Sequence, residues 1–145
     1  MVVNQKNSGT HEDGGTYSSV IKEIADKNLC PFCPGELYLK HHKEPIIKEG
    51  KYWLFTKNSY PYKEAQCHLI FILKRHETKV ENLSPEEMGE LPSFLKEYLP
   101  AHHIDHGSLF IRSGDTRYNC SSVEHIHAQF VSKDPNLKDH MRVGL

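Results

Sequence analysis

The sequence predicts an α+β domain with a largely antiparallel sheet of about five strands, flanking helices and a metal-binding knuckle. Three observations lead there. Residues 69–73, Leu-Ile-Phe-Ile-Leu, form a dense apolar run that reads as a buried strand. His125, His127 and Gln129 alternate with Ile126, Ala128 and Phe130; in a strand that puts three polar side chains on one face and three apolar ones on the other. Helical spacing occurs only in limited stretches set among short strand-like runs.

Residues 1–16 carry Asn, Gly, Ser, Thr and charge with almost nothing to bury, and read as a disordered leader. The domain is expected over 17–135, with a polar tail over 136–145. From 17 to 28, Val20, Ile21, Ile24 and Ala25 recur at helical spacing. The helix runs into Cys30-Pro31-Phe32-Cys33-Pro34-Gly35, a turn-rich knuckle. Strands are expected at 36–39, 45–49 and 52–56, with Glu49-Gly50 as a hairpin turn, and the apolar strand over 66–74. Ser84, Pro85 and Glu87 stand where an N-cap, a first helical residue and a capping box need them. Pro92 lies deep in that helix and predicts a break or kink. Two more strands are expected at 107–111 and 124–132.

A chain of 145 residues suits one domain with its own core. Its 18 basic and 19 acidic residues give a formal net charge of −1. Bulk charge therefore gives no case for a nucleic-acid polymer or an anionic membrane as partner. No apolar stretch is long enough to span a bilayer, and the first residues lack the apolar segment of a signal peptide. A cytoplasmic protein is expected. In such a compartment the four cysteines stay reduced. Cys67 and Cys120 read as small buried apolar residues.

Cys30 and Cys33 are spaced so that both sulfurs can reach one tetrahedral ion. The alternative is a thioredoxin-like redox pair, but that pair opens a helix after a strand, whereas this one follows a helix. Structural zinc sites commonly take two cysteines and two histidines. Of the eleven histidines, His41 and His42 are nearest but fall in a lysine-rich loop. His76 ends the apolar strand and His125 opens the polar face of the last one. The expected zinc ligands are Cys30, Cys33, His76 and His125.

Together these residues resemble the histidine-triad (HIT) superfamily of nucleotide hydrolases and transferases, whose signature is His-φ-His-φ-His-φ-φ with φ apolar. His125-Ile-His127-Ala-Gln129 is similar to the branch holding galactose-1-phosphate uridylyltransferase and diadenosine tetraphosphate phosphorylases, where glutamine replaces the third histidine. Trp53 to Pro61 is similar to the family's strand leading into a ribose-binding loop. Cys67 to His76 resembles its apolar strand ending in Lys/Arg-His. The resemblance runs from about Tyr17 to Ser132. It implies a HIT-like fold with His127 as nucleophile, Gln129 contacting the transferred phosphate, Ser122 on the phosphate and Asn58 on the ribose. It also implies the same zinc ligands, a nucleotide or dinucleotide substrate, and a homodimer. The chain departs from the family before the motif: Arg112-Ser113-Gly114-Asp115 stands slightly earlier than the family's Asn-x-Gly, with Arg112 in place of Asn, and a longer 116–121 stretch follows. The uridylyltransferases carry two such units and this sequence holds one.

A neutral imidazole can attack an α-phosphate and form a phosphoramidate. His127 has that role in this reading, with Arg112, Ser121 and Ser122 as phosphate contacts. Gln129 orients but cannot titrate, which favours transfer over fast hydrolysis. Two alternatives remain: a zinc-stabilised nucleotide-binding protein with weak or no catalysis, and a zinc-containing domain whose histidines are structural.

Overall fold

The computed structural model describes residues 3–4 and 16–143. Helix α1 (Thr16–Lys27) comes first, followed by strands β1 (Ile46–Glu49), β2 (Trp53–Lys57) and β3 (Ala65–Leu73). A 3₁₀ turn (Val80–Asn82) leads into helix α2 (Pro85–Ala101); β4 (Ser108–Ile111), the short helix α3 (Thr116–Asn119) and β5 (His127–Lys133) complete the order. Among the described residues the five strands form one sheet in the order β1-β2-β3-β5-β4. Every neighbouring pair is antiparallel.

The period-2 patterns sort the two faces of this sheet. Trp53, Phe55, Leu69, Phe71, Leu73, Ala128 and Phe130 point one way and pack on Leu91, Phe94, Leu95 and Tyr98 of α2. Leu54, Ile70 and Ile72 point the other way, toward Phe32 and Leu39 of the knuckle region. His127 and Gln129 share that second face, because Ile72 pairs with His127 and Ile70 with Gln129. β5 is buried along nearly its whole length, being an inner strand between β3 and β4.

Two local expectations are corrected. Residues 36–39 form consecutive turns, not a strand. Leu39 N–H bonds the Pro31 carbonyl at 2.9 Å and Leu39 takes a φ of +50°, so the chain curls back on the knuckle. Leu37 and Leu39 alternate as a strand would, but each is drawn into a separate apolar cluster. Pro92 does not interrupt α2, which runs continuously from Pro85 to Ala101. The proline stands on the exposed side of the helix. The leader expected over 1–16 lies largely outside the described residues. Of its members, Val3 is buried and bridges Val123, and Asn4 N–H bonds the Ser122 carbonyl at 2.9 Å. Residues 134–143 follow β5 as turns and irregular chain. No helix among the described residues is long and apolar enough to cross a membrane.

The capping box of α2 forms as the sequence predicts: Glu87 N–H bonds Ser84 Oγ and Ser84 N–H bonds Glu87 Oε2. The same carboxylate receives Arg75 Nε at 2.7 Å and Nη2 at 3.1 Å, tying the end of β3 to the start of α2. The Arg75 guanidinium holds the Glu87 carboxyl below the usual range. A carboxylate shifted down stabilises the fold above its unfolded pKa of roughly 4.3, and that contribution is lost as pH falls through the lower folded value. Glu87→Gln is therefore expected to destabilise by about 1–2 kcal/mol at pH 7. The gap from wild type should narrow as pH falls below the unfolded pKa of roughly 4.3. Denaturant titrations at pH 7 and pH 3 measure it, and a gap independent of pH would exclude the ion pair as its cause.

Candidate metal centre and active site

The knuckle begins where α1 ends. Asn28 adopts a φ of +50° and its N–H bonds the Ala25 carbonyl, a left-handed helix stop. Two residues on, Cys30 and Cys33 face His125, which immediately precedes β5 with only Ile126 between, and His76, which follows β3. Their ligand atoms lie within 4.8 Å of one another. Sγ of Cys30 is 3.4 Å from His125 Nδ1, Sγ of Cys33 is 3.2 Å from His76 Nδ1, and the two Nδ1 atoms are 3.1 Å apart. A tetrahedral zinc with bonds of about 2.3 Å to sulfur and 2.0–2.1 Å to nitrogen would set such pairs roughly 3.4–3.6 Å apart. The four residues fit that ion.

The surrounding groups support the fit. His125 Nε2–H donates to the Leu73 carbonyl at 2.8 Å, which leaves the Nδ1 lone pair turned to the sulfurs. Burial and the neighbouring Cys30 push the Cys33 thiol up to about 12. Two adjacent thiolates need a cation to exist together, and a bound divalent ion provides it.

His127 lies beyond this group on the same sheet face and is 8% exposed. Its Nδ1–H donates to the His125 carbonyl at 2.8 Å, so Nε2 is the nitrogen that can act on a ligand. Burial pushes the imidazole down to about 4 and keeps it neutral. His127 and Gln129 line one cavity with Asn58, Arg112, Ser121 and Ser122. The sheet forms its floor, α1 contributes Tyr17 and Ile21, and the knuckle contributes Pro31 and Phe32.

Several of these side chains are already tied to neighbours. Arg112 Nη2 lies 3.5 Å from the Tyr62 hydroxyl, and its guanidinium sits over the Phe110 ring. Ser121 Oγ bonds the Val123 carbonyl at 2.9 Å, which directs it into its own turn. Ser122 hydrogen-bonds Tyr17. Asn58 Oδ1 accepts the Tyr60 N–H at 2.8 Å and so shapes the loop after β2.

One residue of this network was not expected. His68 is buried beneath Gln129. Its Nδ1 accepts the Tyr62 N–H at 3.1 Å, so Nε2 carries the proton and donates to Gln129 Oε1 at 2.7 Å. The Gln129 amino group is thereby directed away from His68. The signal in the sequence was period 2: His68 shares a face with Ile70 and Ile72. His42 is also drawn in, its two ring nitrogens at 2.9 Å from Thr56 Oγ1 and 3.0 Å from Ser59 Oγ. His41 lies instead against Glu23 at 3.1 Å, away from the metal group. Cys67 is half-buried, and Cys120 is exposed at a left-handed turn rather than buried.

No family model matches the sequence, and no curated protein matches it. Solved structures do match. A Zn-bound histidine triad family protein from Mycobacterium smegmatis superposes with a TM-score of 0.56 at 21% identity, covering 79% of this chain and 82% of that one. A histidine triad nucleotide-binding protein from Candida albicans gives a TM-score of 0.56 at 17% identity over 81% and 85% of the two chains. The fold is that of the histidine-triad proteins. A HIT family hydrolase from Legionella pneumophila Philadelphia 1 gives 0.54 at 19% identity, over 76% of this chain and 97% of its own. Within this HIT-like fold, the cavity and the four-residue metal group lie side by side, with His125 in one and His127 in the other.

Proposed function

We propose that the chain is a nucleotidyl transferase, phosphorylase or hydrolase that works through a covalent phosphoramidate on His127, with zinc holding the knuckle in a structural role. The observation that carries this reading is the tautomer of His127. Its Nδ1–H is bonded to the His125 carbonyl, and its neutral ring offers Nε2 in a cavity that also holds Gln129 and Arg112. Nε2 would attack the α-phosphorus of a nucleotide conjugate as the phosphorus–oxygen bond to the leaving group breaks. The leaving phosphate or nucleoside phosphate departs as an anion. Water or a second phosphate then attacks the phosphorus and frees the histidine.

Gln129 supplies amide hydrogens to the phosphate oxygens, and Arg112 supplies charge. Asn58 and Ser122 complete the nucleotide and phosphate contacts, with Ser121 joining them once its hydroxyl exchanges the Val123 carbonyl for a phosphate oxygen. Neither Gln129 nor His68 as bonded hands a proton to a leaving group, which favours transfer to an acceptor over rapid hydrolysis. The metal has no part in the chemical step, because four protein ligands leave no position for water. The structural neighbours, one a Zn-bound protein, one a nucleotide-binding protein and one a hydrolase, are consistent with this reading. A homodimer would use β4, an edge strand with Leu109 exposed beside the exposed Met88 of α2.

The test is intact mass at neutral pH after brief incubation with nucleoside polyphosphates and nucleotide sugars. A nucleotidyl-sized gain, mapped by peptide digestion to His127, is the expected result. Neither adduct nor substrate consumption across the panel would favour the nucleotide-binding reading instead.

A further inference from the structure

Phe32 stands between the two knuckle cysteines in sequence, and in space it is the wall shared by the metal group and the cavity. Its ring centroid is 5.7 Å from that of His125 at an interplanar angle of 81°, and 5.4 Å from that of His127 at 67°. Both are edge-to-face contacts within the favourable range for ring pairs. On its other side it packs on the Leu54, Ile70 and Ile72 cluster of the sheet. His127 donates a hydrogen bond from Nδ1–H to the His125 carbonyl, which fixes its tautomer, but a bond along Nδ1 still allows the ring to rock about that axis. The Phe32 ring, in edge-to-face contact with His127, is placed to oppose such rocking.

The place of Phe32 depends in turn on the knuckle. Cys30 and Cys33 meet His125 across 95 and 92 residues of chain. Within the knuckle, the Cys33 N–H to Cys30 carbonyl bond of 3.3 Å and the Leu39 N–H to Pro31 carbonyl bond of 2.9 Å fix only its own turns.

We propose that Phe32 is a positioning residue that couples the metal knuckle to the orientation of the His127 ring. The metal ion then affects the nucleophile without touching substrate, through a single aromatic side chain. The kinetic consequence rests on the reading of His127 as nucleophile; the structural consequence does not.

The experiment is ¹H–¹³C NMR of the zinc-loaded protein with labelled histidine, the His127 signal being assigned by its loss in His127→Ala. Wild type, Phe32→Ala and Phe32→Tyr are compared before and after chelation. In Phe32→Ala the His127 signal should move while bound zinc stays at about one equivalent. In Phe32→Tyr, which keeps the ring, it should remain near the wild-type position. Chelation should move the signal in wild type and much less in Phe32→Ala, the non-additivity expected of two changes acting through one contact. With substrate, Phe32→Ala should lower kcat by about tenfold to a hundredfold with a smaller change in KM. Equal chelation shifts in wild type and Phe32→Ala would mean that the His125 carbonyl, not Phe32, transmits the effect, and would overturn the proposal. So would loss of zinc from Phe32→Ala, which would make the residue a part of knuckle folding alone. Absence of turnover in wild type would count against the proposed function while the NMR comparison still decided the coupling.

Discussion

His127→Ala is expected to lower nucleotidyl turnover by a factor of about a thousand or more and to abolish the covalent adduct. Zinc content should stay unchanged, because His127 lies outside the four-residue metal group. Stability should change little beyond the loss of a buried ring, since the removed group brings only one hydrogen bond, to the His125 carbonyl. The comparison that gives this meaning is Gln129→Ala. An orienting amide contributes about 10²–10³-fold at most, and its loss should slow adduct formation without preventing it. Rapid-quench measurement of adduct formation separates the two variants. Turnover of His127→Ala within tenfold of wild type would remove His127 from the nucleophile's role.

The second large effect concerns the metal. Cys33→Ser, or exhaustive chelation, is expected to remove about one zinc per chain and to lower the thermal midpoint by roughly 10 °C or more. Zinc binding energy is folding energy wherever the ligands come from distant parts of the chain. Here they come from the end of α1, the end of β3 and the start of β5. The metal-free chain should keep most of its secondary structure, because the core formed by Trp53, Phe55, Phe71 and α2 lies on the opposite face of the sheet. His41→Ala is the control and should retain full zinc. Metal analysis and calorimetry report both quantities. Wild type purified with less than about half an equivalent of tightly bound zinc would defeat the assignment.

The sheet was legible because its strands obey period 2 and because β3 is apolar along its last turns of pleat. The start of α2 was legible because Ser84, Pro85 and Glu87 occupy three positions with distinct physical roles. The metal group was legible from ligand chemistry: two cysteines at tetrahedral spacing and histidines at the ends of two strands. The failures are equally physical. Leu37 and Leu39 alternate, but among the described residues no strand pairs with them, and the knuckle's own turns prevail. Pro92 lies on the exposed side of α2, where losing one backbone hydrogen bond costs less than it would in the core. His68 is not legible from the sequence, because a single histidine in an apolar strand carries no label. Only the register that sets Ile70 opposite Gln129 brings it beneath that amide.

The position of β5 has a consequence for how the protein comes into being. It is the last strand among the described residues, yet it sits between β3 and β4. During synthesis the apolar strand β3 therefore presents an open edge until residues 127–133 emerge and insert. That late pairing spans more than fifty residues of chain and is slow to find by diffusion. The same insertion brings His125 to the cysteines and His127 to its cavity. An incompletely folded chain would thus be both aggregation-prone and unable to bring the four residues together, so metal uptake would report the completion of folding.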